Sequence, residues 1–138
     1  AYLACVRWTD EQVGRVLDAL EAGPHAGNTI VVLFSDNGGL ASLAGPPTTN
    51  APLRAGKGTC YEGGVRVPFA MSWPAKIKTG SKFEGIVSTL DMLPTFAALA
   101  GVELPKDRTY DGKNLMPFIS GTKPSTTIAA TCISTRIH

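Results

Sequence analysis

Two clusters of polar residues in this chain have the types and spacing to do chemistry. The first is Asp36-Asn37, directly before Gly38-Gly39. A carboxylate beside an amide oxygen offers two hard oxygen ligands, which suit calcium or magnesium better than zinc. Taken alone, the same residues read first as a turn before the paired glycines. The second cluster is Gly56-Lys57-Gly58-Thr59, followed by Tyr61-Glu62-Gly63-Gly64-Val65-Arg66. Glycines flanking a lysine let backbone and ammonium approach an anion closely. The run is not a P-loop, because Gly-x-x-x-x-Gly-Lys-Ser/Thr is not satisfied. A flexible loop carrying a solvated lysine suits these residues, taken alone, equally well.

The elements that must position these clusters are legible in the flanking sequence. Val13, Val16, Leu17 and Leu20 follow the i, i+3, i+4, i+7 spacing of an amphipathic helix, with Asp10, Glu11, Arg15 and Asp18 free to face water. Gly23-Pro24 ends that helix. Ile30-Val31-Val32-Leu33-Phe34 is a continuous β-branched and aromatic run, which suits a strand buried on both faces, as in a parallel sheet covered by helices. Helix, short loop and strand make an α/β unit. Asp36 and Asn37 then sit at the carboxyl end of a strand, where ligands gather in open α/β sheets.

Residues 40–64 are rich in Gly, Pro, Thr and Asn and carry no periodic segment, and a loop this long in a compact domain is usually functional or mobile. Val65 to Trp73 reads as a second strand closed by Pro74, followed by a turn at Lys78-Thr79-Gly80-Ser81. Ser88 and Asp91 have capping-box spacing before Leu93, Phe96, Ala97 and Ala100, and Gly101 supplies the stop. Pro94 fits only near the start of that helix. Asp111-Gly112 marks a turn before the short apolar piece Leu115 to Ile119, and the Ser/Thr-rich stretch from Ser125 reads as a tail or an edge segment.

Composition excludes several classes of function. Of 138 residues, 43% are hydrophobic and 17% charged, as in a globular rather than a disordered chain. The net charge of +2 comes with no basic stripe interleaved with aromatics, which argues against a nucleic-acid partner. No apolar run approaches the roughly 18 to 20 residues that span a bilayer. Cys5, Cys60 and Cys132 lie far apart, so neither a thiolate zinc site nor a closed disulfide framework is expected. His25 falls in a loop and reads as a surface histidine. Compartment is not legible.

Taken together, the clusters are more specific than either alone. Ser35-Asp36-Asn37-Gly38-Gly39, then Asn50-Ala51-Pro52-Leu53-Arg54 and Gly56 through Pro68, resemble the sulfatase family in residue and order. Trp73-Pro74-Ala75-Lys76-Ile77, Ser88 through Thr95 and the helix around Val13 to Leu20 match it as well. The resemblance covers roughly residues 2 to 124, read as the C-terminal portion of a catalytic domain with residues 125–138 an unmatched tail. Its flavour is arylsulfatase-like. It implies a partial alkaline-phosphatase/sulfatase-like α/β fold, with a mainly parallel or mixed sheet flanked by helices. It also implies hydrolysis of sulfate monoesters, aryl or sugar, by a formylglycine hydrate with a divalent cation, usually calcium. Asp36 and Asn37 fall on the family's metal-ligand positions and Lys57 on its sulfate-binding lysine. Glu62 and Arg66 match as structural support for the loop, and Asp91 remains a helix cap.

The departures from the family pattern bear directly on activity. That nucleophile is made from a Cys or Ser within Cys/Ser-x-Pro-x-Arg, and none of the three cysteines is followed by that pattern. Ser72-Trp73-Pro74-Ala75-Lys76 has Lys for Arg and belongs to a downstream Trp-Pro element instead. The family's aspartate pair and remaining sulfate contacts are also not matched. The expectation is therefore a sulfatase fragment, inactive alone and prone to self-association through apolar faces around Val31 and Leu33. One alternative is a non-catalytic sulfatase-like binding module. Another is a phosphatase-type relative, against which Asn37 argues, because histidine is the better ligand for zinc or manganese.

Overall fold

The computed structural model describes residues 1–41 and 48–121. The described residues fall into two compact units, divided between Ala75 and Lys76. The expected tail from Ser125, with Cys132, lies outside the described residues.

In the first unit, helix α1 runs Tyr2–Glu21, reaching well ahead of the apolar stripe that announces it. No glycine or proline interrupts the chain before Gly14, and Arg7 pairs with Glu11 at 2.9 Å along the exposed face. The helix closes before Gly23, whose N–H donates to the Leu20 carbonyl at 2.9 Å. None of its residues is buried, and Val16 is 68% exposed. An amphipathic pattern fixes which face can be covered, and no described residue buries this one. His25 is exposed, as expected, and a single 3-10 turn at Ala26–Asn28 leads to the first strand.

Strand β1 is Val31–Phe34 and strand β2 is Phe69–Ser72. They pair antiparallel, with Val31 opposite Ser72 and Phe34 opposite Phe69, whose rings lie 6.1 Å apart. Among the described residues the sheet is this one antiparallel pair, with helices before and after it in the chain, as the partial α/β fold expected from sequence requires. Burial of β1 on both faces is not found, since Leu33 is 57% exposed and Phe34 is exposed too. An all-apolar strand is suited to two covering layers, and composition alone does not supply them. Helix α2, the single turn Glu62–Val65, replaces the beginning of the expected strand. Pro68 then blocks extension of the ladder, having no N–H to donate.

The second unit is built by local signals that the sequence states openly. Ser81 closes the turn at Lys78–Ser81 by donating its N–H and its hydroxyl to the Lys78 carbonyl. Ser88 caps a 3-10 turn, Thr89–Asp91, in a reciprocal capping box: Ser88 Oγ accepts the Leu90 N–H, and Asp91 Oδ2 accepts the Ser88 N–H at 2.8 Å. Helix α3, Met92–Leu99, follows, with Pro94 in its first turn. Gly101 ends it at φ 68°, while Val102 donates to Ala97 and Gly101 to Ala98. That is the paired bonding of a Schellman stop.

Asp91 does more than cap. Its Oδ1 accepts the Lys113 N–H at 2.8 Å, tying the stretch after Asp111-Gly112 back onto the start of α3. Thr95 Oγ1 accepts the Leu115 N–H at 2.9 Å just before helix α4, Met116–Ile119. Thr95 and Leu115 are fully buried, with Met92 and Phe118 beside them in the core. On the exposed surface of the same unit, the guanidinium of Arg108 chelates Asp107. It pulls that carboxyl below its usual pKa and raises that of Arg108 in turn.

Candidate functional site

The site is assembled within the first unit, where β1 delivers the chain into Ser35-Asp36-Asn37. Ser35 Oγ donates to the Asn37 carbonyl and the Asn37 N–H donates to Asp36 Oδ1, both at 2.9 Å. This local bonding folds the turn and occupies one oxygen of the carboxylate. Asp36 Oδ2 accepts no hydrogen bond from a described residue, and Asp36 faces solvent.

The next two residues press against the second cluster. Gly38 N–H donates to the Gly64 carbonyl at 2.9 Å, and Lys57 N–H donates to the Gly39 carbonyl at 3.0 Å. A methyl group on Gly38 would overlap the Gly63 carbonyl, so no larger residue fits there without moving backbone. Gly63 N–H in turn donates to the Arg54 carbonyl at 2.8 Å, which draws the α2 turn against the loop. The two clusters singled out from sequence thus form one contiguous arrangement.

Asn50 completes the junction. Its Oδ1 accepts the Gly39 N–H at 3.1 Å, and its Nδ2 donates to the carbonyls of Gly39 at 2.8 Å and Ala55 at 3.0 Å. Ala55 holds a left-handed φ of 60°, unusual for a residue with a Cβ. Sequence reasoning assigned Asn50 no role, and an amide eleven residues downstream of its partner carries no local signature.

Lys57 is exposed, and its ammonium makes no ion pair with a described residue. Arg54 lies over the Tyr61 ring at 3.7 Å. Glu62 and Arg66, expected to support the loop, do pair at 3.4 Å, but their side chains are 64% and 68% exposed. Such a pair contributes at most about 1 kcal/mol. Among the described residues no group of three or more His, Cys, Asp or Glu could hold a metal ion. Asp36 and Asn37 fit a hard cation by oxygen type, yet supply fewer than the roughly six to eight oxygens calcium takes.

Comparison with known proteins bears on this arrangement directly. The family model described as Sulfatase matches residues 1–102. The chain belongs to the sulfatase family. It is 42% identical to rat (Rattus norvegicus) steryl-sulfatase over 126 residues, covering 88% of this chain and 22% of that protein. It is 45% identical over 125 residues to a sulfatase of Formosa agariphila, covering 83% of this chain and 22% of the relative. Human (Homo sapiens) N-acetylgalactosamine-6-sulfatase is 39% identical over 119 residues, 84% of this chain and 22% of its own length. The crystal structure of Ps i-CgsB in complex with k-i-k-neocarrahexaose superposes with a TM-score of 0.72 at 44% identity. That match covers 78% of this chain and 23% of the other. The helices and small sheet are accordingly part of an α/β sulfatase fold, and the chain spans about a fifth of the length of these sulfatases.

Proposed function

We propose that this chain supplies part of the active centre of an enzyme that hydrolyses sulfate monoesters. In this reading Asp36 and Asn37 contribute oxygen ligands to a divalent cation, calcium by ligand type, and Lys57 holds a sulfate oxygen. When bound, the cation would supply Lewis-acid stabilisation of charge on the transferred sulfuryl group. Lys57 adds a point charge to the same oxygens, and that interaction is most valuable where charge develops. The observation that carries the reading is the 3.0 Å bond from Lys57 N–H to the Gly39 carbonyl, two residues beyond Asn37. It brings an anion-binding loop against a turn suited to a cation.

The nucleophile is not proposed for these residues, because no Cys/Ser-x-Pro-x-Arg occurs in the 138. Hydrolysis is therefore assigned to a polypeptide in which that motif joins this chain, and the chain alone is inactive. The family relatives carry names as different as steryl-sulfatase and N-acetylgalactosamine-6-sulfatase, so aryl and sugar sulfates are proposed as a class. A second reading is a non-catalytic module that binds sulfated ligands, supported by the exposed Lys57 in its glycine-flanked loop.

Lys57→Ala tests the assignment. In a complete sulfatase carrying this chain, kcat/KM on an aryl sulfate should fall by about 10²- to 10³-fold, the range for removing one charge-stabilising donor. Thermal stability should be nearly unchanged, since the Lys57 side chain is exposed. Activity falling only in step with stability would remove Lys57 from this role. Tight, saturable binding of a sulfated ligand by the isolated 138-residue chain would instead favour the binding module.

A further inference from the structure

We propose that Asn50 is a positioning residue that fixes the spacing between the Asp36–Gly39 turn and the Gly56–Thr59 loop. The proposal rests on the reading of those two segments as cation and sulfate ligands.

Its side chain grips Gly39 at both of its backbone polar groups: Oδ1 takes the N–H at 3.1 Å and Nδ2 gives to the carbonyl at 2.8 Å. The other proton of Nδ2 goes to the Ala55 carbonyl at 3.0 Å, two residues before Lys57. One amide group is therefore bonded to both segments at once. A carboxamide presents a donor and an acceptor at the same end, and a carboxylate or hydroxyl of similar reach cannot satisfy all these partners. The Gly39 carbonyl receives the Lys57 N–H at 3.0 Å and the Ala41 N–H at 2.9 Å as well, so displacing either segment strains a shared acceptor.

Two backbone features are built around this grip. A methyl on Gly56 would overlap the Gly39 carbonyl and stand 2.7 Å from Asn50 Nδ2, so only glycine lets the loop approach. Ala55 keeps its φ of 60° while its carbonyl is held by the same Nδ2. Asn50 touches no candidate ligand atom itself. Its influence on a bound ion runs through the backbone of the residues that carry those atoms, an indirect support typically worth about 10- to 100-fold in metal affinity.

The test titrates a complete sulfatase carrying this chain with calcium chloride by isothermal calorimetry, and follows exchange at the Gly39 and Lys57 amides by mass spectrometry. Asn50→Asp keeps the shape but turns an acceptor toward the Gly39 and Ala55 carbonyls, and Asn50→Ala removes the grip without repulsion. Both variants should bind calcium about tenfold or more weakly than the parent and exchange the Gly39 and Lys57 amides faster. A calcium affinity equal to the parent's in a folded variant overturns the inference while leaving the site reading intact. A calcium affinity of the complete enzyme left unchanged by Asp36→Ala overturns the site reading, and the inference with it. If neither variant folds, the role of Asn50 is structural and the positioning proposal falls.

Discussion

Replacing Asp91 by alanine should destabilise the second unit by about 2 to 4 kcal/mol. Asp91 is only 5% exposed, and its carboxylate accepts two backbone N–H groups, from Ser88 and from Lys113, each at 2.8 Å. Its removal orphans both donors, and an unsatisfied buried donor costs about 1 to 3 kcal/mol. Both bonds are part-buried, so water can reach the donors in the variant, which holds the sum toward the low end. Asp91→Asn keeps one carbonyl oxygen for one donor and turns an NH₂ toward the other, so it should lose about 1 to 2 kcal/mol. Ser88→Ala removes only the cap to the Leu90 N–H and should lose about 1 kcal/mol. Against a total of about 5 to 15 kcal/mol for a small domain, the alanine variant is a severe change. Urea unfolding followed by far-UV circular dichroism gives the order of the three variants. Amide exchange at Lys113 then shows whether the long-range bond is the one lost. An Asp91→Ala protein within about 0.5 kcal/mol of the parent, or an unchanged Lys113 exchange rate, would refute the reasoning.

Further outcomes follow from the same contacts. Thr95→Val leaves the Leu115 N–H without its acceptor in a fully buried position and should lose about 1 to 3 kcal/mol in chemical denaturation. Thr95→Ser, which keeps the hydroxyl, should lose less, and equal losses would show that packing rather than the hydrogen bond matters there. The isolated chain should self-associate, because Leu33 and Phe34 on the sheet and Leu3, Trp8 and Val16 on α1 are exposed. Sedimentation velocity should show mass rising with concentration, with Leu33→Asp shifting the chain toward monomer; a concentration-independent monomer would contradict this.

The parts of the fold legible in the sequence are those whose signals are local. The capping box at Ser88 and Asp91, the stop at Gly101 and the turn at Lys78–Ser81 all form as their residues indicate, because each bond closes within a few positions. Strand pairing is different. β1 and β2 are separated by the whole loop, and nothing in Val31–Phe34 states an antiparallel partner or its register. The α2 turn was hidden for another reason: Gly63-Gly64 is a poor helix former, and it is held by bonds to Arg54 and Gly38 that arise only after the loop has folded. Covering layers are not legible, because apolar composition at Leu33 and Val16 says what can be buried, not what is present to bury it.

The candidate site divides along a similar line. Its chemistry-bearing side chains, Asp36 and Lys57, are exposed, and residue type together with the family resemblance singles them out. The groups that fix their spacing have no chemistry of their own: a glycine at 38 that meets the Gly63 carbonyl, a glycine at 56 that meets Gly39, and the amide of Asn50. This bears on the proposed site, because residue type alone also allows a simple turn and a solvated loop. A simple turn needs only the bond from Asn37 N–H to Asp36 Oδ1, and a solvated lysine loop needs no partner. Neither requires the Gly39 carbonyl to receive N–H groups from Ala41, Lys57 and Asn50 together. Converging donors of that kind hold one peptide in one place, which is of use where two segments must present ligands to the same small group.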